Sequence, residues 1–426
     1  MQLLIFIAIL AIMLPLGIPI AFVLMAAAAI LLNSIGAFNA FSIAQNMVTG
    51  TDNYALMAIP FFMLAGELMS NGGLARRLVN FADLIVGRFH GGLGYVVIIA
   101  SVIFAGLSGS AVADAAALGG ILIPMMTKAG YNTDRSCGLI ATSSIIAPII
   151  PPSVPMILLA SSVGISTTKL FMAGIGPGVL MGIVLMFVWF FTVKKDGYND
   201  KTYYTKQEAI TILKDSVPAL VLPFIIVFGI RFGIFTPTEA GSFAAIYALL
   251  ICLLYYKELK LSDLPRIIIS SAKTTAVVMF IVAGASAVGY VITIAGLPTQ
   301  LAGVLENFIH SKILLLLVIN AFFFLMGMIM DTTPNILIFA PVVYPVIQMA
   351  GIDPIYFGVI MVLNLCIGLV TPPVGTVLFV SSGISGRPLS GVIKGALPFL
   401  AAEIGLLIAF IFVPQLITVP FGWIMG

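Results

Sequence analysis

Two short runs of hydroxyl and carboxylate residues stand where an otherwise apolar chain interrupts itself. Ser108-Gly109-Ser110, with Asp114 one turn further on, divides one apolar stretch, and Asp331-Thr332-Thr333 divides another. Each run is followed by a proline-rich interruption, Pro151-Pro152-Ser153 after the first and Thr371-Pro372-Pro373 with Gly375 after the second. Hydroxyl, carboxylate and main-chain oxygens suit a hard cation such as Na⁺, by analogy with other hard ions. The three cysteines (Cys137, Cys252, Cys366) lie in apolar context without metal-ligand spacing and read as small core residues. The candidate cation ligands are therefore Ser108, Gly109, Ser110, Pro151, Asp331, Thr332, Thr371, Pro372 and Gly375, the glycines and prolines through their carbonyls.

The elements that must position these residues occur twice. Residues 106–177 laid on 327–398, an offset of 221, align without a gap, with 10 identities in 72 positions. Seven of the ten are Gly or Pro, including Gly106 on Gly327, Pro151-Pro152 on Pro372-Pro373 and Gly174 on Gly395. These residue types fix where a helix bends or stops, so the backbone plan is duplicated while its apolar filler has drifted.

Composition says where such a plan can live. Of 426 residues, 61% are hydrophobic and 8% charged, with mean hydropathy +1.20, against about 25% charged in a soluble domain. The chain is read as an all-α polytopic membrane protein. A net charge of +3 spread over loops implies no nucleic-acid partner. The first apolar run lacks a basic region and a clear small-residue cleavage site and is not read as a removable signal peptide. No Gly-rich P-loop appears, which argues against direct use of ATP.

Along the chain, residues 1–194 form the first repeat, 195–215 a lysine-rich cytoplasmic linker and 216–426 the second repeat. In the first, 1–14 and 16–35 are apolar, 54–70 is a helix and 73–90 is amphipathic, suited to the membrane interface. The arms of 93–127 are each too short to cross a core that needs about 20 residues, and are read as a re-entrant hairpin. Residues 135–162 are a crossing broken at its prolines. The second repeat has its hairpin at 312–349 and broken helix at 354–383, and Thr236-Pro237-Thr238-Glu239 opens a capped helix before them. Lys257, Lys260, Arg266 and Lys273 place a loop on the cytoplasmic side. Five crossings and a hairpin per repeat, an odd number of crossings, invert the second copy relative to the first.

Unpaired backbone groups are costly in lipid, so breaks and hairpin tips must be covered by protein or water. Inverted repeats with discontinuous helices meeting near the midplane are the plan of secondary transporters. Intramembrane Asp331 and Asp114 are functional candidates; Asp331 before Thr-Thr-Pro also fits a helix N-cap, and one residue can do both. Asp114 aligns with Asn335, so the shared backbone plan does not require its charge. Asn364 either lines the site or makes a helix–helix hydrogen bond. GLSG at 106–109 matches an intramembrane serine hydrolase pattern with Ser108 as nucleophile, but His90 and His310 fall in interfacial segments, so the match reads as accidental and no enzyme is expected. A passive anion channel is the other alternative.

Several motifs together carry a family resemblance. FAGLSGSAVADAAALGGILIPMM (104–126), IIAPIIPPSVPM (145–156), FTPTEAGSFAAIYAL (235–249), MDTTPNILIFAPVVYPV (330–346) and GIDPIYFGVIMVLNLCIGLVTPPVG (351–375) resemble the large membrane subunit of tripartite ATP-independent periplasmic (TRAP) transporters over essentially the whole chain. The resemblance implies Na⁺-coupled import of an organic acid across a bacterial inner membrane, by an elevator in which hairpins and broken helices move as one block against a scaffold. It also implies two partners, a small four-helix membrane subunit, separate from this chain, and a soluble periplasmic binding protein. Sialic acid and C4-dicarboxylates are among the family's substrates. The absence of an arginine pair near the hairpins leans away from a dicarboxylate; Arg387 lies at the cytoplasmic end of the second broken helix and reads as an orienting charge. Ser110 and Ser153, beside a helix N-terminus, are placed to hold a single carboxylate, with Asp114, Asn364 and Thr333 completing the expected substrate residues.

Overall fold

The computed structural model describes residues 2–425 except 197, 199–200, 306–307 and 309–310. Among these residues there is no strand. Seven helices are long and apolar enough to cross a membrane, or eight if Tyr54–Asn71 and Leu74–Val86, which meet at 68°, form one span.

The first hairpin consists of Gly92–Ser108 and Ala111–Lys128, and the first broken helix of Thr133–Ser144 and Val154–Val163. Their counterparts are Lys312–Gly327 and Thr332–Met349, then Pro354–Gly368 and Thr376–Ser385. The return arms Ala111–Lys128 and Thr332–Met349 lie 221 residues apart at both ends, the offset of the sequence repeat. Local chemistry sets these boundaries. Ser110, Asn132 and Ser153 each accept a backbone N–H from the first turn of the helix they precede. Gly109 and Gly375 take left-handed backbone at the tip and the break. Both proline pairs are cis.

The two copies pack crosswise. Ala111–Lys128 lies against Thr376–Ser385, and Thr332–Met349 lies against Val154–Val163. Buried polar pairs tie each hairpin to its own broken helix at corresponding heights. Ser101 Oγ donates to Ser143 Oγ at 3.0 Å in the first copy. Asn364 Nδ2 donates to Asn320 Oδ1 at 2.6 Å in the second. Thr167–Asp196 and Leu389–Phe412 complete this block. In a second group, Ile20–Ser34, Ala40–Thr51 and Ala58–Asn71 pack around Leu264–Ile294, and Pro237–Leu250 packs against Ala58–Asn71.

Leu264–Ile294 acts as a ruler for the hairpins. Its Ser271 and Thr274 line a pocket with Ala113 and Ala116 of the first return arm. Its Ser286 and Thr293 line another with Pro341, Tyr344 and Gln348 of the second. The return arms thus leave their tips in opposite senses along one helix.

Four features differ from the sequence reading. A helix, Lys206–Arg231, begins inside the expected linker, opened by a capping box in which Thr205 and Glu208 each serve the other's backbone. Ala40–Thr51 and Gln415–Met425 are additional helices. Lys273, counted only as a charge orienting a loop, lines a cavity from within Leu264–Ile294. Arg387 is more than an orienting charge: its Nε donates to Asp134 Oδ1 at 2.6 Å and its Nη2 to Oδ2 at 3.1 Å. Part of the expected amphipathic piece after Leu297–Val304, with His310, lies outside the described residues.

Candidate functional site

Both hairpin tips and both breaks open onto one cavity of about 700 Å³. Gly109 and Ser110 reach it from the first hairpin, Pro148, Val154 and Pro155 from the first break, Asp331, Thr332 and Thr333 from the second hairpin, and Leu369 and Thr376 from the second break. The opposite wall is Leu264–Ile294, through Lys273, Thr274, Val277, Val278 and Ile281.

The first tip is held by hydrogen bonds and by close backbone approach. Ser108 Oγ donates to Asp114 Oδ1 in a very short hydrogen bond and accepts the Ser110 N–H at 3.2 Å. Asp114 is fully buried, and its Oδ2 has no hydrogen-bond partner. Asp114 therefore fastens the tip from behind rather than lining the cavity. A Cβ on Gly109 would stand 2.4 Å from the Pro152 carbonyl oxygen, so tip and break touch through bare backbone. Pro151 is buried just behind this contact.

The second tip solves the same problem differently. Asn335, at the position equivalent to Asp114, donates through Nδ2 to the carbonyls of Met326, Met330 and Asp331 at 3.0–3.2 Å. An amide can donate to main-chain carbonyls where a carboxylate cannot. Asp331 holds the N-cap position, φ −63° and ψ 161°, without a side-chain capping hydrogen bond, and its side chain opens onto the cavity. Thr371 Oγ1 donates to the Ile367 carbonyl at 2.7 Å, and Gly375 forms the N-cap of Thr376–Ser385. Thr376 Oγ1 is buried without a partner at the cavity edge.

Thus Gly109, Ser110, Asp331, Thr332 and Thr333 line one space. Ser108 faces a contiguous cavity of about 350 Å³ with Ser110, Glu67, Ser70, Ser271 and Thr274. Pro151, Thr371, Pro372 and Gly375 form the breaks behind it. Ser153 is fully buried: its hydroxyl donates to the Pro148 carbonyl at 2.6 Å and accepts Met156 N–H, so it is not available to a carboxylate in this conformation. Asn364 is likewise not at the cavity; it makes the helix–helix bond to Asn320.

Lys273, Thr274 and Thr376 were not among the expected site residues. Lys273 is the one cationic side chain among the described residues lining the cavity. Its signal in the sequence is its spacing: Lys273 and Val277 are four residues apart and share a helix face. Ser108, the nucleophile of the hydrolase alternative, has Asp114 as its hydrogen-bond acceptor. His90 is exposed near the base of the first hairpin, and among the described residues no three His, Cys, Asp or Glu cluster as metal ligands.

A second cavity of about 730 Å³ lies beyond the central one along Leu264–Ile294, between Asn46, Asp52, Ser286 and Tyr290 on one wall and Ser161, Tyr344 and Gln348 on the other. Asn53 Nδ2 bridges the walls to Ser161 Oγ at 2.9 Å. The space at the tips is thus flanked by openings toward both ends of the molecule.

The profile described as "Tripartite ATP-independent periplasmic transporter, DctM component" matches residues 6–416. A 2,3-diketo-L-gulonate TRAP transporter large permease protein from Escherichia coli is 46% identical over 408 residues, covering 96% of each chain. A sialic acid TRAP transporter large permease protein from Vibrio cholerae is 40% identical, covering 91% of this chain and 90% of that one. Among solved structures, the Alcanivorax borkumensis YdaH transporter superposes with a TM-score of 0.65 at 13% identity, covering 100% of this chain and 99% of that one, a likeness of fold.

Proposed function

We propose, from the premise that this chain belongs to the DctM component family of tripartite ATP-independent periplasmic transporters, that it imports a sugar acid or related organic acid, driven by Na⁺, in a bacterial inner membrane. The observation that carries this reading is the single cavity lined by both hairpin tips and both breaks. Such a space offers helix N-termini to an anion and bared oxygens to a cation at the same place. The small four-helix membrane subunit and the periplasmic binding protein are its partners, the second delivering the acid. No ATP is used by the chain itself.

Each part has a role in this reading. Ser108, Ser110, Asp331, Thr332 and the carbonyls of the two breaks supply oxygen ligands for Na⁺. Ser110, Thr333 and Thr376 offer hydroxyls to the acid, and Lys273 meets its carboxylate from the static wall. The hairpins and broken helices form the moving block, and the helices around Leu264–Ile294 form the scaffold, so the block travels as an elevator. Inversion of the two repeats fits the opposite senses of the return arms. A sugar acid is favoured over a dicarboxylate because one cationic side chain, not two, lines the cavity among the described residues.

The test is uptake in proteoliposomes holding this chain with its small subunit, with binding protein outside and an imposed Na⁺ gradient. Sialic acid, 2,3-diketogulonate and a C4-dicarboxylate are offered in turn. The expected result is accumulation of a sugar acid that collapses without Na⁺. Equilibration without accumulation, independent of Na⁺, would make the protein a channel instead.

A further inference from the structure

Glu403 is a carboxyl with no visible reason to be where it is. It lies in Leu389–Phe412, is 1% exposed, and neither carboxyl oxygen has a hydrogen-bond partner. Carrying the offset of 221 five residues past the aligned stretch sets Glu403 opposite Gly182, which has no side chain, let alone an acid.

Its position can be read from its neighbours. Gly391 and Gly395 lie against Asp134, and Ala396 lies against Gly138, so the helix runs beside Thr133–Ser144 in the same direction. Seven residues beyond Ala396, about two turns, Glu403 stands level with the end of Thr133–Ser144. Leu389–Phe412 also packs against Pro354–Gly368, whose Tyr356 hydroxyl donates to the Phe410 carbonyl, so that half-helix runs back along it toward the level of Glu403. Glu403 thus sits where two half-helices terminate, and both present C-terminal carbonyl ends, which carry partial negative charge.

Among the described side chains, no cation stands beside it. On Thr133–Ser144 the charged groups are Asp134 and Arg135 at the helix start, where Asp134 pairs with Arg387. Lys312 of Lys312–Gly327 donates to the Gly351 carbonyl at that arm's outer end. Lys169 and Lys194 are exposed near the ends of Thr167–Asp196, and Lys394 is exposed in the first turns of Glu403's own helix. Pro354–Gly368 contributes Cys366 and Tyr356, whose hydroxyl donates to the Phe410 carbonyl. Thr376–Ser385 and Gln415–Met425 contribute no titratable side chain.

We propose that Glu403 is a proton-binding site of the moving block. In this conformation it is a neutral carboxylic acid, shut away from water. When the breaks rearrange and water reaches it, the O–H bond breaks, the proton passes to water and a carboxylate remains. The coupling of this exchange to substrate movement rests on the transport reading above; the protonated state does not.

The experiment uses the complete complex of large and small subunits in lipid. Infrared difference spectra between native protein and Glu403→Gln at neutral pH should show a carbonyl stretch of a protonated carboxylic acid, present in the native protein and absent from the variant. A carboxylate signal in its place, or one that appears only with added Na⁺, overturns the proposal, the latter making the group a sodium ligand. In the uptake assay, Glu403→Gln should retain transport within about twofold while its rate becomes flat from mildly acid to alkaline pH. Superimposable pH profiles for native and variant overturn the exchange. If no acid is transported but the infrared band is present, the transport reading fails and the proton site stands.

Discussion

At the residue scale, the cavity separates side chains that can meet a ligand from those that hold the ones that do. Ser110 and Thr376 are open to it, whereas Ser153 and Asn364, equally polar, are bound to Pro148 and Asn320. Lys273 is the sharpest case. Losing a charged hydrogen bond costs about 1.5–3 kcal/mol, or roughly ten- to hundredfold in affinity. Lys273→Met should therefore raise the KM for uptake by about that factor, and Lys273→Arg should restore much of it. An unchanged KM in Lys273→Met would remove this residue from the substrate path. Arg387 invites a pH experiment. Its guanidinium holds the Asp134 carboxyl below the usual carboxylate range. A carboxylate lowered on folding contributes stability that is full above its unfolded pKa and disappears as pH falls through the folded one. The pair is largely exposed, so its effect is small. Arg387→Ala should lower the melting temperature slightly at neutral pH, and the difference should vanish in strong acid.

At the element scale, tips and breaks form one unit because they touch backbone to backbone. Gly109 has φ +63°, and a Cβ would press on the Pro152 carbonyl oxygen. Neither contact can be relieved by turning a side chain. Gly109→Ala should cost about 1–3 kcal/mol in stability by overpacking, measured as thermal unfolding in detergent, and should reduce uptake more than it reduces folded protein. These elements were legible in sequence because Gly and Pro carry backbone instructions in their covalent structure. The cap at Thr236 is where its Thr-Pro-Thr-Glu spacing announces it, and helices begin directly after Ser110 and Asp331. The start of Lys206–Arg231 was hidden by its lysines, although the Thr205–Glu208 spacing was available to announce it. Lys273 was counted only as an orienting charge, although its spacing to Val277 on one helix face was there to place it at the cavity.

At the scale of the whole molecule, the hairpins and broken helices meet the helices around Leu264–Ile294 across two cavities, and one hydrogen bond spans the boundary farther along Leu264–Ile294. Asn53 and Ser161 belong to opposite sides of that boundary. In a background with Cys137, Cys252 and Cys366 replaced, Asn53→Cys with Ser161→Cys should form a disulfide on oxidation and stop uptake, and reduction should restore it. Undiminished uptake by the crosslinked protein would mean that the boundary does not slide. Sequence could not foresee this boundary, because the polar residues along it are separated by 108 positions and become neighbours only through packing. Glu403 was invisible for a different reason. It lies five residues beyond Pro398, where the aligned stretch of the repeat ends, so comparing the copies never reached it.

The crosswise packing of two copies with one backbone plan has a further consequence. Each copy is a template for a posture its twin can adopt, so trading postures between residues 221 apart would yield a second complete arrangement without inventing any new geometry. In that arrangement Ser382, the counterpart of Ser161, would take up the station by the scaffold that Ser161 now occupies, and Asn53 would be released. On the elevator reading proposed above, one conformation of this chain holds the blueprint of its opposite, and spin labels on Ser161 and Ser382 should show the trade as reciprocal changes in their distances to Leu264–Ile294; unchanged distances under transport conditions would count against it.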